Sequence, residues 1–134
     1  MLRLIQIQSI KELRLMNTVS ITRGTTPTHV FYSDVSLENV SELYITYNQN
    51  GSTIVEKNID DVTIDINENS ITVPLTQQET LLFKNKNWSW LDPNRNISYS
   101  NVRVQCRIKF EDGNVIASDI ISIDIDDILK DGEI

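Results

Sequence analysis

The sequence predicts an all-β fold: an antiparallel β-sandwich of seven to nine strands with one short helix near 77–83. Three observations support this. Short alternating segments recur along the chain, with Gly, Pro, Asn and Asp clusters between them. The C-terminal quarter, Asn101 to Asp127, is a long alternating stretch that turns back on itself. Only one segment carries helix-start chemistry.

Residues 1–16 stand apart. Leu2, Leu4, Ile5 and Ile7 sit in a strand-like stretch, which predicts an extra strand or an arm that reaches a neighbouring subunit. A competing expectation is an over-extended start, because codons for Lys11-Glu12 can spell a purine-rich ribosome-binding sequence ahead of Met16. Residues 17–134 are expected to form a single β-sandwich domain.

Within that domain, Val19–Arg23 is a short strand candidate, broken by Gly24-Thr-Thr-Pro27, since proline sits only at an edge or a bend. His29–Tyr32 resumes extended structure, and Asp34–Asn39 is a turn region. Glu42–Asn48 alternates with Leu43, Ile45 and Tyr47 on one face. Asn50-Gly51 is a strong hairpin signal, and Thr53–Lys57 returns. Val62–Ile66 and Ser70–Val73 are two more strands, joined through Asn67-Glu68-Asn69. Thr76-Gln-Gln-Glu79 matches a capping box, so a turn or two of helix is expected at 77–83.

Residues 84–100 are polar and irregular and contain Trp88, Trp90, Leu91 and Tyr99. The final hairpin follows. Val102, Val104, Cys106, Ile108 and Phe110 alternate with Arg103, Gln105, Arg107 and Lys109. Asp112-Gly113 is expected to make a two-residue turn. Unbroken pairing around it sets Val104 opposite Ile121, Ile108 opposite Ala117 and Cys106 opposite Asp119. A carboxylate beside that apolar row is costly. The apolar phase also shifts from even positions (Ile116, Ile120) to odd ones (Ile121, Ile123, Ile125), which predicts a β-bulge near Ser118–Ile120 that turns Asp119 outward.

At 134 residues the chain holds a modest core in one domain. A net charge of −7 argues against a nucleic-acid backbone as partner. The 19 Ile suit pleated surfaces, and their abundance with 13 Asn also fits an AT-rich coding sequence. One cysteine leaves no internal disulfide, and Cys106 falls in an apolar row, as a buried small hydrophobe does. The sequence does not bring it near His29, the single histidine. No Walker loop, GxGxxG, CxxC, HExxH or GxSxG motif occurs. The chain is therefore expected to be non-enzymatic, with no cofactor, no metal and no membrane partner. The acidic cluster Asp124, Asp126, Asp127 and Asp131 departs from EF-hand spacing and is expected to be solvated on an edge strand and tail.

Two features are candidates for protein contact. Trp88, Trp90 and Leu91 lie in a long irregular segment, where paired rings would present to a partner or fold back on the sandwich end. Arg103, Arg107 and Lys109 form a basic stripe in an acidic chain, suited to an acidic neighbour or to the acidic row of a second copy.

Four segments carry a resemblance to a known family. They are Ile21-Thr-Arg-Gly-Thr-Thr-Pro-Thr-His-Val-Phe31, Tyr47-Asn-Gln-Asn-Gly51, Asn69 to Phe83 with its Leu-Thr-Gln-Gln-Glu-Thr core, and Asp112 to Ser118. Over 19–134 the chain resembles a family of small virion proteins of tailed bacteriophages and prophages. The resemblance implies an Ig-like β-sandwich, non-enzymatic and present in the virion in multiple copies. Such a chain is made in the host bacterial cytoplasm and contacts other virion proteins. Residues 1–16 and 84–100 look like additions to the pattern, and head decoration, connector and tail or baseplate remain open. The alternative from another class is a soluble carbohydrate-binding or adhesin-type module, with the tryptophans stacking on sugar rings.

Overall fold

The computed structural model describes residues 12–15, 20–85 and 101–134. Among them run ten strands and two short helical turns: β1 (Leu13–Leu15), β2 (Ser20–Thr22), β3 (Thr28–Ser33), β4 (Val40–Gln49), β5 (Ser52–Asn58), a 3-10 turn (Ile59–Asp61), β6 (Thr63–Asp65), β7 (Ser70–Pro74), α1 (Gln77–Leu81), β8 (Val102–Phe110), β9 (Val115–Ala117) and β10 (Ile121–Asp126). The strands form two sheets, β1-β3-β7-β6 and β2-β10-β8-β4-β5, with β9 also paired to β8. The all-β sandwich with one short α-helix is therefore the observed fold. Its order is that of an immunoglobulin-type sandwich, ABED facing GFC with an added C′ strand. The N-terminal strand is divided between the sheets: β1 runs antiparallel to β3, and β2 runs parallel to β10.

Alternation decides the core. Leu43, Ile45 and Tyr47 of β4 and Val102, Val104, Cys106 and Ile108 of β8 are buried against Phe31, Ile71 and Val73 of the other sheet. Leu13 of β1 joins this core. The Asn50-Gly51 hairpin forms as expected, with both residues at positive φ (53° and 80°). Asn39 and Asn69 also take positive φ at turns, so part of the asparagine content serves backbone geometry. The capping box is present: Thr76 Oγ1 accepts from Glu79 N, and Glu79 Oε1 accepts from Thr76 N at 2.9 Å. The helix is shorter than expected, ending at Leu81 with Phe83 buried just beyond.

The final hairpin is bent by a bulge. Arg107 pairs with Ala117 and Ile108 with Ile116, but Val104 pairs with Ile121 and Ile123 with Val102. The pairing sum thus rises by one between β9 and β10, and the predicted return strand divides in two. Ser118 occupies the bulge, buried, accepting from Cys106 N at 3.0 Å and donating to Asp119 O at 2.9 Å. Asp119 is turned out to solvent. Two details correct the sequence expectation. Ile108 lies opposite Ile116, not Ala117. The turn is a three-residue loop, 111–113, in which Gly113 N donates to Phe110 O and Gly113 takes φ 93°. Asp112 therefore serves as an Asx-type acceptor for Asn114 N, not as a left-handed turn residue.

His29 sits in the core, hydrogen-bonded through Nδ1 to the Tyr47 hydroxyl, and Tyr47 stacks obliquely on Phe83. Burial pushes the imidazole down to about 4 from its usual 6.5 and pushes the Tyr47 phenol up.

Two outcomes follow from this packing. The unfolded chain binds the His29 proton below about pH 6.5 while the native chain resists it until about pH 4, so stability falls as pH drops through that window. Denaturant titration should show a loss of about 2 kcal/mol between pH 7 and pH 5 that is absent from His29→Gln. Ser118→Ala strands the buried Cys106 amide and should cost about 1–3 kcal/mol in the same assay.

Candidate functional site

The central strand of the larger sheet presents one face to the core and the other to solvent. Because Val102, Val104, Cys106 and Ile108 point inward, Arg103, Arg107 and Lys109 point outward, and all three are exposed. β4 sets Asn48, Thr46, Tyr44 and Glu42 beside this row, in register with Arg103, Gln105, Arg107 and Lys109. On the other flank, Val115 and Ala117 of β9 pair with Lys109 and Arg107, and Ser122 of β10 pairs with Arg103. Tyr44 is 40% exposed and Val115 56%. They and the stems of Arg107 and Lys109 line a shallow depression of about 160 Å³, with Glu42 on its rim.

The same face carries an acidic row. Asp124 and Asp126 continue β10 beyond Ser122, on the side to which Arg103 points, and both are exposed. The expectation that these acids lie on an edge strand is corrected: β10 is flanked by β2 and β8. Asp127 and Asp131 are exposed at the start of the tail, and both also pair with Arg23. No group of three or more potential metal ligands forms among the described residues.

Arg23 marks a second concentration of charge. Its side chain is buried, with Nε donating to Phe83 O at 2.8 Å and Nη2 to Leu81 O at 3.1 Å. Nη1 pairs with Asp127 Oδ1 at 2.8 Å and Asp131 Oδ1 at 3.3 Å. Burial raises the Asp127 carboxyl, but the Ile128 amide and the Arg23 guanidinium outweigh it and leave the carboxyl below its usual range. Around this pin the Ile21–Phe31 and Asn69–Phe83 segments meet. Thr80 Oγ1 donates to Thr25 O at 2.9 Å, Leu75 N donates to Pro27 O at 3.0 Å, and Lys57 Nζ pairs with Glu79 at 2.7 Å. The polar groups here are satisfied within the chain, so the corner is a structural lock.

The outward stripe is the opposite case. Among the described residues, Arg103, Arg107, Lys109, Asp124 and Asp126 form no side-chain ion pair or hydrogen bond. No family model and no curated protein matches this chain. Site chemistry therefore has to come from the geometry. Nucleophilic catalysis by Cys106 is disfavoured, because burial pushes its thiol up to about 12 and the only imidazole down to about 4. What the sheet face presents is a set of exposed charged side chains, without ion pairs among the described residues, around a largely apolar depression.

Of the residues singled out from sequence, the structure brings Arg103, Arg107 and Lys109 together on one face. Trp88, Trp90 and Leu91 lie outside the described residues. Sequence reasoning missed Tyr44 and Val115. Their outward phase was legible in each strand, but their convergence on Arg107 depends on pairing across β4, β8 and β9. It also missed Arg23, whose acceptors lie about 60 and 104 residues away in sequence.

Truncating the two charge populations should separate them. Arg23→Ala leaves carbonyls and carboxylates of the corner without a donor and should cost about 2–4 kcal/mol by chemical denaturation. Arg103→Ala, Arg107→Ala and Lys109→Ala combined should leave the melting temperature essentially unchanged.

Proposed function

We propose that this chain is a non-enzymatic structural protein of a tailed-bacteriophage particle, acting through protein–protein contacts made by the outer face of the larger sheet. The observation that carries the contact reading is the row of uncompensated basic side chains beside the Tyr44–Val115 depression in a chain of net charge −7. An intramolecular role for such a row would show as pairing, as it does at Arg23. Placement in the particle is supported by the segments around Arg23 and Thr76 that resemble small virion proteins. As in any repeated assembly, individually weak contacts add when many copies engage together. Partners are then other virion proteins, with the chain made in the host bacterial cytoplasm and incorporated as head decoration, connector or tail component.

Purified particles from a culture carrying this reading frame should contain the chain at a fixed copy number per particle by quantitative mass spectrometry. Arg103→Glu, Arg107→Glu and Lys109→Glu together should remove it from particles while it stays folded in the lysate. A chain absent from particles, or one that retains incorporation with all three charges reversed, defeats the proposal. Glycan-array binding by the isolated chain would instead favour a carbohydrate-binding module.

A further inference from the structure

Along β8 and β10, charges of opposite sign occupy opposite ends of the sheet face. Arg107 and Lys109 lie toward the 111–113 loop, Arg103 lies near the middle opposite Ser122, and Asp124 and Asp126 continue toward the other end on β10. Two further carboxylates share the face. Glu42 stands in register with Lys109, and Glu56 accepts from Thr46 at 3.3 Å. Both are on β4 and β5, across β8 from β10.

We propose that the partner of this face is a second copy of the chain, stacked face to face about a two-fold axis that lies in the interface and runs across the strands. The inference rests on the reading that this face makes protein contacts, and it names the partner. Such an axis reverses strand direction, so the basic end of each copy lies over the acidic end of the other. With the axis over Val104, Arg107 lies above the level of Asn101, beside which Asp124 sits, and Arg103 lies above Gln105, not above itself. The acidic row is one strand across from the basic row, about 4.8 Å, a step that the long Arg and Lys stems span. An axis along the strands would stack like charges, so the charge pattern selects one of the two face-to-face arrangements.

The area is adequate. β8 has nine residues, about 30 Å of strand, and the sheet is five strands across, about 24 Å. Their product, about 700 Å², is close to the roughly 800 Å² per partner of a standard interface. Tyr44 and Val115 supply apolar contact beside the charges, and Thr46 and Gln105 are the neutral side chains near the middle, next to Glu56 and Arg103.

Sedimentation velocity on the full chain tests this. The wild type should be a dimer. Arg107→Glu with Lys109→Glu, and separately Asp124→Lys with Asp126→Lys, should each weaken association about tenfold or more. The fourfold variant that exchanges both rows should recover the dimer, and unchanged melting temperatures would show that each variant folds. A wild type that stays monomeric up to about 100 µM overturns the inference. So does a double variant as dimeric as the wild type, or a fourfold variant that remains monomeric. A monomer that still enters particles would defeat the dimer and leave the particle reading standing. A dimer missing from particles would do the reverse.

Discussion

The fold turns on one buried guanidinium. Arg23 lies where the chain leaves the larger sheet at β2 and crosses to the smaller one at β3. A cation taken out of water there demands acceptors on every side. Its backbone N–H extends the β2–β10 ladder to Asp126 O, and its side chain holds the carbonyls of Leu81 and Phe83 and the carboxylates of Asp127 and Asp131. The Leu81 carbonyl is one of the unpaired groups at the end of α1, which otherwise require water or a cap, and Phe83 follows two residues on. One side chain therefore joins the sheet crossover, the helix terminus and the C-terminal tail. Gly24 must follow: its φ is +73°, and a Cβ there would come within 3.2 Å of Ile128 Cδ1.

Charge in this molecule is divided by what it meets. At the Arg23 corner and at Lys57–Glu79, opposite charges are paired across short distances and partly withdrawn from solvent. On the outer face of the larger sheet, Arg103, Arg107, Lys109, Asp124 and Asp126 point away from the chain and form no ion pair among the described residues. Surface charges contribute little to folding, so a polarised row of them is free to act on a neighbour, by orienting encounter and excluding wrong registers. The segments 21–31 and 69–83 hold the first population, which braces the sandwich.

The bulge at Ser118 links the two. Before it, Val115 and Ala117 point outward; after it, Ser122, Asp124 and Asp126 do. If the pairing of β9 continued unbroken, Ile121 and Ile123 would turn outward and Ser122, Asp124 and Asp126 would fall on the core side. A single buried hydroxyl, replacing the ladder bond at Cys106 N, thus keeps the core apolar and sets both charge rows on one face.

The sequence by itself determined which residues face inward along each strand, the Asn50-Gly51 turn, the Thr76–Glu79 cap and the need for a bulge before Ile121. Each follows from side-chain period or local backbone chemistry over a few residues. Only the tertiary structure decided the remainder: that β10 lies inside its sheet, that β1 and β2 belong to different sheets, that the last turn has three residues, and that Tyr44, Val115 and Arg107 form one depression. The reason is physical. Alternation states which face a residue occupies but not which strand lies beside it, and pairing of distant strands is settled by burial of the whole core. Arg23 is the clearest case: in sequence it is one arginine before a glycine, and its acceptors come together only when both sheets are in place.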